Sequence, residues 1–218
     1  MRMRIPRAAH RISTSGVAGL RAGAATREIM TQLTTPRLRL EPFTDAHLDA
    51  LNALNSDPDV YRYLSGDPET RDETQAVIER VKARWLEIGY SWWALMDRAS
   101  GELVGAGCLQ NLRREMTPVP DLACPLEIGW RLRRDQWGRG LASEAAVAIV
   151  DFAFETRGAN ELLAVCIPEN TASASVMARI GMQSQGLQRW YGREMTTYRI
   201  TAAQWRANAP AREAKPAR

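Results

Sequence analysis

The sequence of 218 residues has few of the side chains on which metal sites and disulfide frameworks depend. It contains two histidines, His10 and His47, and three cysteines, Cys108, Cys124 and Cys166. The cysteines are odd in number and lack the spacing of metal ligands. We therefore expect buried, reduced thiols and no metal. With so few histidines, a Ser-His-Asp triad is not expected either.

Long apolar runs are also missing. No stretch approaches the roughly 18 residues that a membrane-spanning helix needs, so we expect no membrane partner. Hydrophobic residues nevertheless make up 45% of the chain, which is ordinary for a globular protein with a buried core. The length fits one domain with extensions at its ends.

Positive charge is scarce in the body of the chain, although the whole sequence carries a net charge of +4. The first 29 residues contribute +5 and the last ten contribute +2, so residues 30–208 carry −3. Nucleic-acid-binding domains typically show a basic face, and we expect no nucleic-acid partner here. The expected organisation is a disordered basic extension over 1–29, a single domain over 30–208 and a disordered tail over 209–218.

The N-terminal extension is rich in Arg, Ala, Ser and Gly and has no acidic residue before Glu28. This composition is typical of a mitochondrial presequence. It also fits a disordered extension, or a start codon placed upstream of a true start at Met30. We expect a cytoplasmic protein, with the mitochondrial matrix as the alternative if residues 1–29 are a presequence.

Hydrophobic periodicity predicts a mixed fold in which strands and helices are interspersed. Strands are predicted over 37–43, 90–97, 102–110, 126–132 and 162–167, and two more within 182–200. Helices are predicted over about 44–54, 70–88, 141–157 and 170–180. This order is neither a regular βα alternation nor all-β, so we expect a mixed sheet with helices on its faces.

The stretch RRDQWGRGLASEA, residues 133–145, places two glycines between a predicted strand and a predicted helix. Gly138 and Gly140 either supply a positive φ in an ordinary loop, or they expose backbone N–H groups to an anion at the start of the helix. A Walker loop is excluded because no Gly-Lys-Ser/Thr follows, and the dinucleotide fingerprint fails at Ser143. The loop therefore suits a phosphate ligand outside both common nucleotide motifs.

Two motifs at this separation point to a known family. The first reads E-I-G-W over 127–130 and W-G-R-G-L-A-S-E-A over 137–145. The second reads N-T-A-S-A-S-V-M-A-R-I-G-M over 170–182. Together with the openings TPRLRLEPF and SDPDVYRYL, they resemble the GNAT superfamily of acyl-CoA-dependent N-acyltransferases, in particular its RimJ/RimL-type branch. The resemblance spans about residues 34–200.

The resemblance implies an α+β fold with a mixed, mostly antiparallel sheet of six to seven strands flanked by about four helices. It implies acetyl-CoA as co-substrate and a primary amine as acceptor, either a protein N-terminus or a small molecule, in a monomer or homodimer. The pantetheine arm would pair with the backbone of Trp130 and Leu132. Asn170 would cap its helix, contact CoA, or do both. The pyrophosphate would lie on the loop and helix start, formed by Trp137, Gly138, Arg139, Gly140, Leu141 and Ala142.

Two polar residues match the catalytic positions of the family. The acceptor amine arrives largely as ammonium and must lose a proton, which a carboxylate near the acyl group can take. Glu127 is the candidate base by its position, and the alternative is an edge carboxylate paired with an arginine. Ser173 matches a hydroxyl near the CoA sulfur and is a candidate proton donor. Its alternative is an ordinary serine in the first turn of a helix.

Some features depart from the family pattern or remain open. Trp137 stands where the general pattern has Gln or Arg, and Ser175 replaces an Arg in the helix motif. Tyr61, Tyr63 and Trp85 either line an acceptor pocket or pack in the core. The −3 charge of the body favours a cationic acceptor. The alternative function is a non-catalytic module that binds acyl-CoA.

Overall fold

The computed structural model describes residues 31–64, 66–117 and 121–209, and in these ranges eight strands form one sheet. The strand order is β1-β2-β3-β4-β5-β6-β8-β7, and every neighbouring pair is antiparallel except β5 and β6, which are parallel. The strands are β1 (Leu33–Thr34), β2 (Leu38–Pro42), β3 (Trp92–Asp97), β4 (Leu103–Asn111), β5 (Leu126–Leu132), β6 (Glu161–Cys166), β7 (Gln183–Trp190) and β8 (Arg193–Thr201).

Six α-helices flank this sheet within the described ranges. They are α1 (Leu48–Asn55), α2 (Pro58–Tyr61), α3 (Arg71–Ile88), α4 (Leu141–Asp151), α5 (Thr171–Arg179) and α6 (Ala202–Ala207). A π-helical turn, Phe152–Thr156, continues α4. The predicted α+β class and mostly antiparallel sheet are confirmed. The sheet has one strand more than the upper prediction, because β1 has two residues and is too short to show periodicity.

The longest helix begins and ends where its sequence predicts. Thr70 accepts a hydrogen bond from the backbone N–H of Glu73, and the Glu73 carboxylate accepts one from the Thr70 backbone, which is a capping box. Gly89 ends α3 with a φ of 73°, a left-handed conformation that glycine adopts without steric cost. These signals fix the helix that covers one face of β2 and β3.

A cluster of aromatic rings fills the core behind the sheet. The rings of Trp85 and Trp93 lie 4.9 Å apart between centroids, and those of Trp93 and Phe152 lie 5.4 Å apart, both pairs nearly edge to face. The indole N–H of Trp85 donates to the carbonyl of Trp92 at 3.1 Å. Trp85 is therefore a core residue, and it does not line a pocket for the acceptor.

The sheet is nearly divided between β5 and β6. The parallel ladder that joins them consists, within the described residues, of one pair, Glu127 and Leu163. Beyond this pair the two strands separate, which leaves a cleft that opens toward the C-terminal end of β5. This end of β5 leads directly into the glycine loop and α4.

Several expectations concern other parts of the chain. The predicted extension over 1–29, the start at Met30 and residues 210–218 of the predicted tail lie outside the described residues. The three cysteines are free and buried, as expected. None of the helices in the described ranges is long and apolar enough to span a membrane.

Candidate active site

A cavity of about 210 Å³ lies at the cleft and contains both predicted catalytic residues. Glu127 reaches it from β5 and Ser173 from α5, with Trp130 and Asn170 beside them. Tyr63 from the segment after α2 also lines the cavity, so of the three aromatic residues left open by the sequence, this one is at the site. The fold thus brings together side chains that come from distant parts of the chain.

A second, larger cavity of about 590 Å³ has none of the predicted site residues on its walls. It lies against α1, where Leu54 meets Leu103 and Arg133. The charged groups on this wall already have partners, since Arg133 binds Asp135 at 2.8 Å. We therefore place the candidate active site at the smaller cavity.

Glu127 is buried and held by two uncharged partners. The residue is only 6% exposed. Its Oε2 accepts hydrogen bonds from Gln110 Nε2 at 3.1 Å and from the hydroxyl group of Tyr191. Gln110 is itself fixed by the indole N–H of Trp92, which donates to its Oε1 at 3.1 Å. Among the described residues no group donates to Glu127 Oε1, so one carboxylate oxygen is fixed and the other is left for a ligand.

The surroundings of Glu127 shift its pKa. Burial is the largest influence and raises the pKa above its ordinary value, because the charged form loses its hydration. The hydrogen bonds from Tyr191 and Gln110 favour the ionised form and lower the pKa, but burial prevails. A carboxylate with a raised pKa is a better proton acceptor near neutral pH than an ordinary one.

Tyr191 reaches the site from the turn that joins β7 to β8. Its φ is 53°, and Gly192 follows with a φ of 73°, the pair of positive angles that a two-residue hairpin turn requires. The backbone N–H groups of Tyr191 and Gly192 donate to the carbonyls of Arg113 and Arg114, both at 2.8 Å. A tyrosine in this conformation is strained by about 1–3 kcal/mol, and such residues concentrate at functional sites. The sequence prediction did not include Tyr191 or Gln110.

The first turn of α5 presents Ser173 to the same cavity. Asn170 caps the helix, because its Oδ1 accepts from the backbone N–H of Ser173 at 3.1 Å. The Ser173 hydroxyl has no hydrogen-bond partner among the described residues, and the residue lines the cavity. It is therefore available to a ligand that enters the cleft.

Both explanations offered for the two glycines apply to the loop: they supply positive φ angles, and they expose backbone N–H groups. Gly138 and Gly140 have φ angles of 73° and 79°, so the conformation requires glycine. A Cβ added to Gly138 would meet no atom within 4 Å, so open space lies before the loop. The backbone N–H groups from Gly138 through Leu141 and Ala142 to Ser143 have no acceptor among the described residues. A row of free donors at a helix start is a ready anion site.

Trp137 and Leu132 connect the glycine loop to the end of β5. The backbone N–H of Trp137 donates to Arg134 at 3.2 Å, so it is not among the free donors. Its indole N–H donates to the carbonyl of Leu132 at 2.9 Å and fixes the loop to the end of β5. The side chain of Arg139 binds that of Gln136, which turns this guanidinium back onto the loop.

The free edge of β5 faces the cleft. N–H groups alternate in direction along a strand, and that of Arg133 donates to Val104 beside β4 at 2.9 Å. The N–H and C=O groups of Trp130 and Leu132 therefore point away from β4, toward the side where the ladder with β6 has ended. An extended ligand can pair with Trp130 there as an added strand would.

The start of α4 is anchored by the glutamate of the first motif. Glu144 accepts hydrogen bonds from the Thr35 hydroxyl at 2.6 Å and from the backbone N–H and Nε of Arg37 at 2.8 and 2.6 Å. Arg37 also donates through Nη1 to the carbonyl of Arg139 in the loop at 2.8 Å. Glu144 therefore positions the loop and does not contact the cavity.

The chain belongs to the family of GNAT acetyltransferase domains, whose model matches residues 37–183. It is 32% identical to the FsC-acetyl coenzyme A-N(2)-transacetylase of Aspergillus fumigatus over 69% of this chain and 64% of that protein. It is 30% identical to an uncharacterized N-acetyltransferase, p20, of Bacillus licheniformis over 74% of this chain and 88% of that protein.

A solved acetyltransferase structure has the same fold as this chain. The crystal structure of an acetyltransferase from Agrobacterium tumefaciens superposes with a TM-score of 0.66 at 30% identity, covering 78% of this chain and 94% of that one. With the family match and the named relatives, it identifies the protein as an N-acetyltransferase.

Proposed function

We propose that the protein transfers the acetyl group of acetyl-CoA to a primary amine, with Glu127 as general base. The observation that carries the proposal is the alignment, along one cleft, of a row of free N–H groups, an unpaired strand edge and a carboxylate oxygen without a donor. The N–H groups suit the pyrophosphate of acetyl-CoA, the strand edge suits its pantetheine arm, and the carboxylate oxygen suits the acceptor amine. The name of the Aspergillus relative includes acetyl coenzyme A, which supports the choice of co-substrate.

The residues of the cleft fit acyl-CoA from one end to the other. The N–H groups from Gly138 to Ser143 would hold the pyrophosphate, with the open space before Gly138 leaving room for it. The edge of β5 at Trp130 would pair with the pantetheine arm. The thioester end would then lie near Glu127 and Ser173, both of which line the cavity.

The acetyl thioester supplies an activated carbonyl carbon, and side chains of the protein accept and donate the protons that move during the reaction. Glu127 Oε1 takes a proton from the ammonium, the amine nitrogen attacks the carbonyl carbon, and the C–S bond breaks as the new amide nitrogen passes its second proton to water. The sulfur leaves as a thiolate and takes up one proton, which the Ser173 hydroxyl relays from solvent. One proton is released in each turnover, and Glu127 returns to its ionised form by passing its proton to water.

Glu127→Gln tests the base, because glutamine keeps the shape of glutamate but cannot accept the proton. We expect kcat/KM to fall by about 10²–10⁴-fold near neutral pH, with acetyl-CoA affinity unchanged in calorimetry. The loss should shrink at high pH, where more of the amine is already deprotonated. A loss that stays constant with pH indicates that Glu127 only positions the acceptor, and wild-type turnover removes it from the mechanism.

Glu161→Gln is the matched control. Glu161 lies on β6 and its carboxylate binds Arg199 at 2.6 Å on the surface of the same sheet. This substitution removes a strand carboxylate that is paired with an arginine, and we expect kcat/KM to remain within about twofold of wild type, as is usual for a surface ion pair. Acetyl-CoA binding without thiol release for any amine in the wild type would instead support the non-catalytic module.

A further inference from the structure

The cavity has a wall for each of the two substrates. The proposed path of acetyl-CoA follows the edge of β5 to Ser173 on α5, so the acceptor must reach Glu127 past the part of the wall that lies away from α5 and β6. The described residues of this part, which we call the acceptor wall, include Tyr63, Leu64, Trp92, Met116, Tyr191 and Arg193. The chemistry of the acceptor wall therefore determines which amines can enter.

The polar groups beside Glu127 already bind one another. Gln110 Nε2 donates to Glu127 Oε2 at 3.1 Å and to the Tyr191 hydroxyl at 3.2 Å, which uses both of its N–H bonds. The Tyr191 hydroxyl donates to Glu127, and the indole N–H of Trp92 donates to Gln110 Oε1 at 3.1 Å. Gln110, Tyr191 and Trp92 thus have no side-chain N–H or O–H left to donate. A second polar group on the acceptor would lose its water here without gaining a donor, which is unfavourable.

The cavity offers few partners for a second charge on the acceptor. Among the described residues that line it, Glu127 is the one acid, and the proposed function assigns it to the reacting amine. A second ammonium group would find no other carboxylate on this wall, and a carboxylate a few bonds from the amine would be repelled by Glu127. Arg193, the one base of the described lining, is exposed and donates through Nη2 to the carbonyl of Leu64 at 2.7 Å. A guanidinium in water contributes little to an ion pair.

Apolar groups provide most of the remaining surface of the cavity. Leu64 and the ring of Tyr63 lie on the acceptor wall, and Met177 and Met195 also line the cavity. Met116 lines it as well, although 68% of this residue is exposed. Methionine is flexible and packs against apolar groups of irregular shape. A hydrocarbon group in the cavity would therefore find matching surface and would cover part of Met116.

We propose that the acceptor is a small primary amine whose amine is its one charged group and whose remaining part is a hydrocarbon chain or ring. This inference rests on the proposed function. The ammonium form of such an amine carries one positive charge, which agrees with the −3 charge of residues 30–208. Diamines, amino acids and peptide N-termini carry a second charge or a polar backbone beside the amine, and we expect them to be poor acceptors.

The first test uses the full chain, acetyl-CoA and amines that share a four-carbon chain, with thiol release as the readout. The amines are butylamine, 4-amino-1-butanol, 1,4-diaminobutane and 4-aminobutanoate, which differ only at the end away from the amine. We expect kcat/KM for butylamine to exceed that for the two charged amines by about tenfold or more, and that for the alcohol by about threefold or more. Shortening the chain to propylamine and ethylamine should lower kcat/KM by about fourfold for each CH₂ removed.

A second pair of amines tests the peptide alternative. Leucinamide carries the polar group of a peptide beside its amine, and 3-methylbutylamine is the same molecule without the carboxamide. We expect kcat/KM for 3-methylbutylamine to be higher by about fivefold or more, because the carboxamide would be buried without partners.

Met116→Glu tests the acceptor wall by adding a second acid to it. We expect the ratio of kcat/KM for 1,4-diaminobutane to that for butylamine to rise by about two- to fivefold, as an exposed ion pair contributes. A change in folding or in acetyl-CoA binding would affect both amines alike and leave this ratio unchanged. Leu122→Glu is the matched control, because Leu122 lies on the same loop, is 58% exposed and is not among the residues that line the cavity.

Equal or higher kcat/KM for the alcohol, the diamine or the aminobutanoate than for butylamine overturns the inference, and so does a preference for leucinamide. Both results leave the proposed function standing, because an amine is still acetylated. A ratio that does not change in Met116→Glu, or that changes equally in Leu122→Glu, also overturns the inference. If no amine is acetylated, the inference fails, and calorimetric titration with acetyl-CoA shows whether the proposed function fails with it.

Discussion

Removing the hydroxyl group of Tyr191 should shift the pH dependence of the reaction. The hydroxyl donates to Glu127, and it stays protonated because burial and the neighbouring carboxylate raise its pKa. A donor favours the ionised carboxylate, so Tyr191→Phe should raise the pKa of Glu127. A hydrogen bond to a charged group contributes about 1.5–3 kcal/mol, which corresponds to about 1–2 pH units at 1.36 kcal/mol each. Phenylalanine keeps the ring and the backbone conformation of the turn.

The assay is kcat/KM as a function of pH for the wild type and Tyr191→Phe. Because the base must be ionised, the acidic limb of the profile should move upward by about 1–2 pH units, and the two profiles should meet on the alkaline side. Tyr198→Phe on β8 is the matched control, since Tyr198 packs against the core and does not line the cavity. A uniform loss at every pH, or an unchanged profile, refutes the role given to Tyr191.

The other predictions concern the loop and its anchor. Gly138→Ala and Gly101→Ala place a Cβ at φ angles of 73° and 74°, both in open space, so each should cost about 1 kcal/mol or more of folding free energy. Only Gly138→Ala should also weaken CoA binding, by about tenfold or more in calorimetry. Equal effects of the two substitutions on CoA binding would contradict the role of the glycine loop as the pyrophosphate site. Glu144→Gln should lower stability by about 2–4 kcal/mol in denaturant unfolding at pH 7, because Thr35 and Arg37 lose a charged acceptor. Burial raises the pKa of Glu144, but hydrogen bonds from Thr35 and Arg37 lower it overall, so the wild-type advantage should be present at neutral pH and disappear as the pH falls toward that pKa. A difference that does not depend on pH would contradict this explanation.

The sequence was sufficient for elements that carry their own signals. β5 has the predicted bounds, Leu126–Leu132, and α5 begins after its predicted cap, Asn170. β1 and α2 are too short for periodicity, and β1 exists only through its pairing with β2. The predicted helix over 141–157 is α-helical to Asp151 and then changes to a π-helical turn, which no local pattern indicates.

The residues of the candidate site likewise fall into those that the sequence could predict and those that it could not. Motifs predict Glu127 and Ser173, and the structure places both on one cavity. Gln110 and Tyr191 could not be found in this way, because their contacts with Glu127 depend on the register of β4 on β5 and on a hairpin 64 residues further along the chain. A tyrosine before glycine between two predicted strands is the one available signal, and it does not identify the partner.

The proposed use of acetyl-CoA is tested most directly by isothermal titration of the full chain with acetyl-CoA and with CoA. The free N–H groups of the glycine loop and the open edge of β5 predict saturable binding of both, with a Kd below about 1 mM. If neither ligand binds up to about that concentration, the glycine loop is not the pyrophosphate site, and the function proposed for the cleft is contradicted as well.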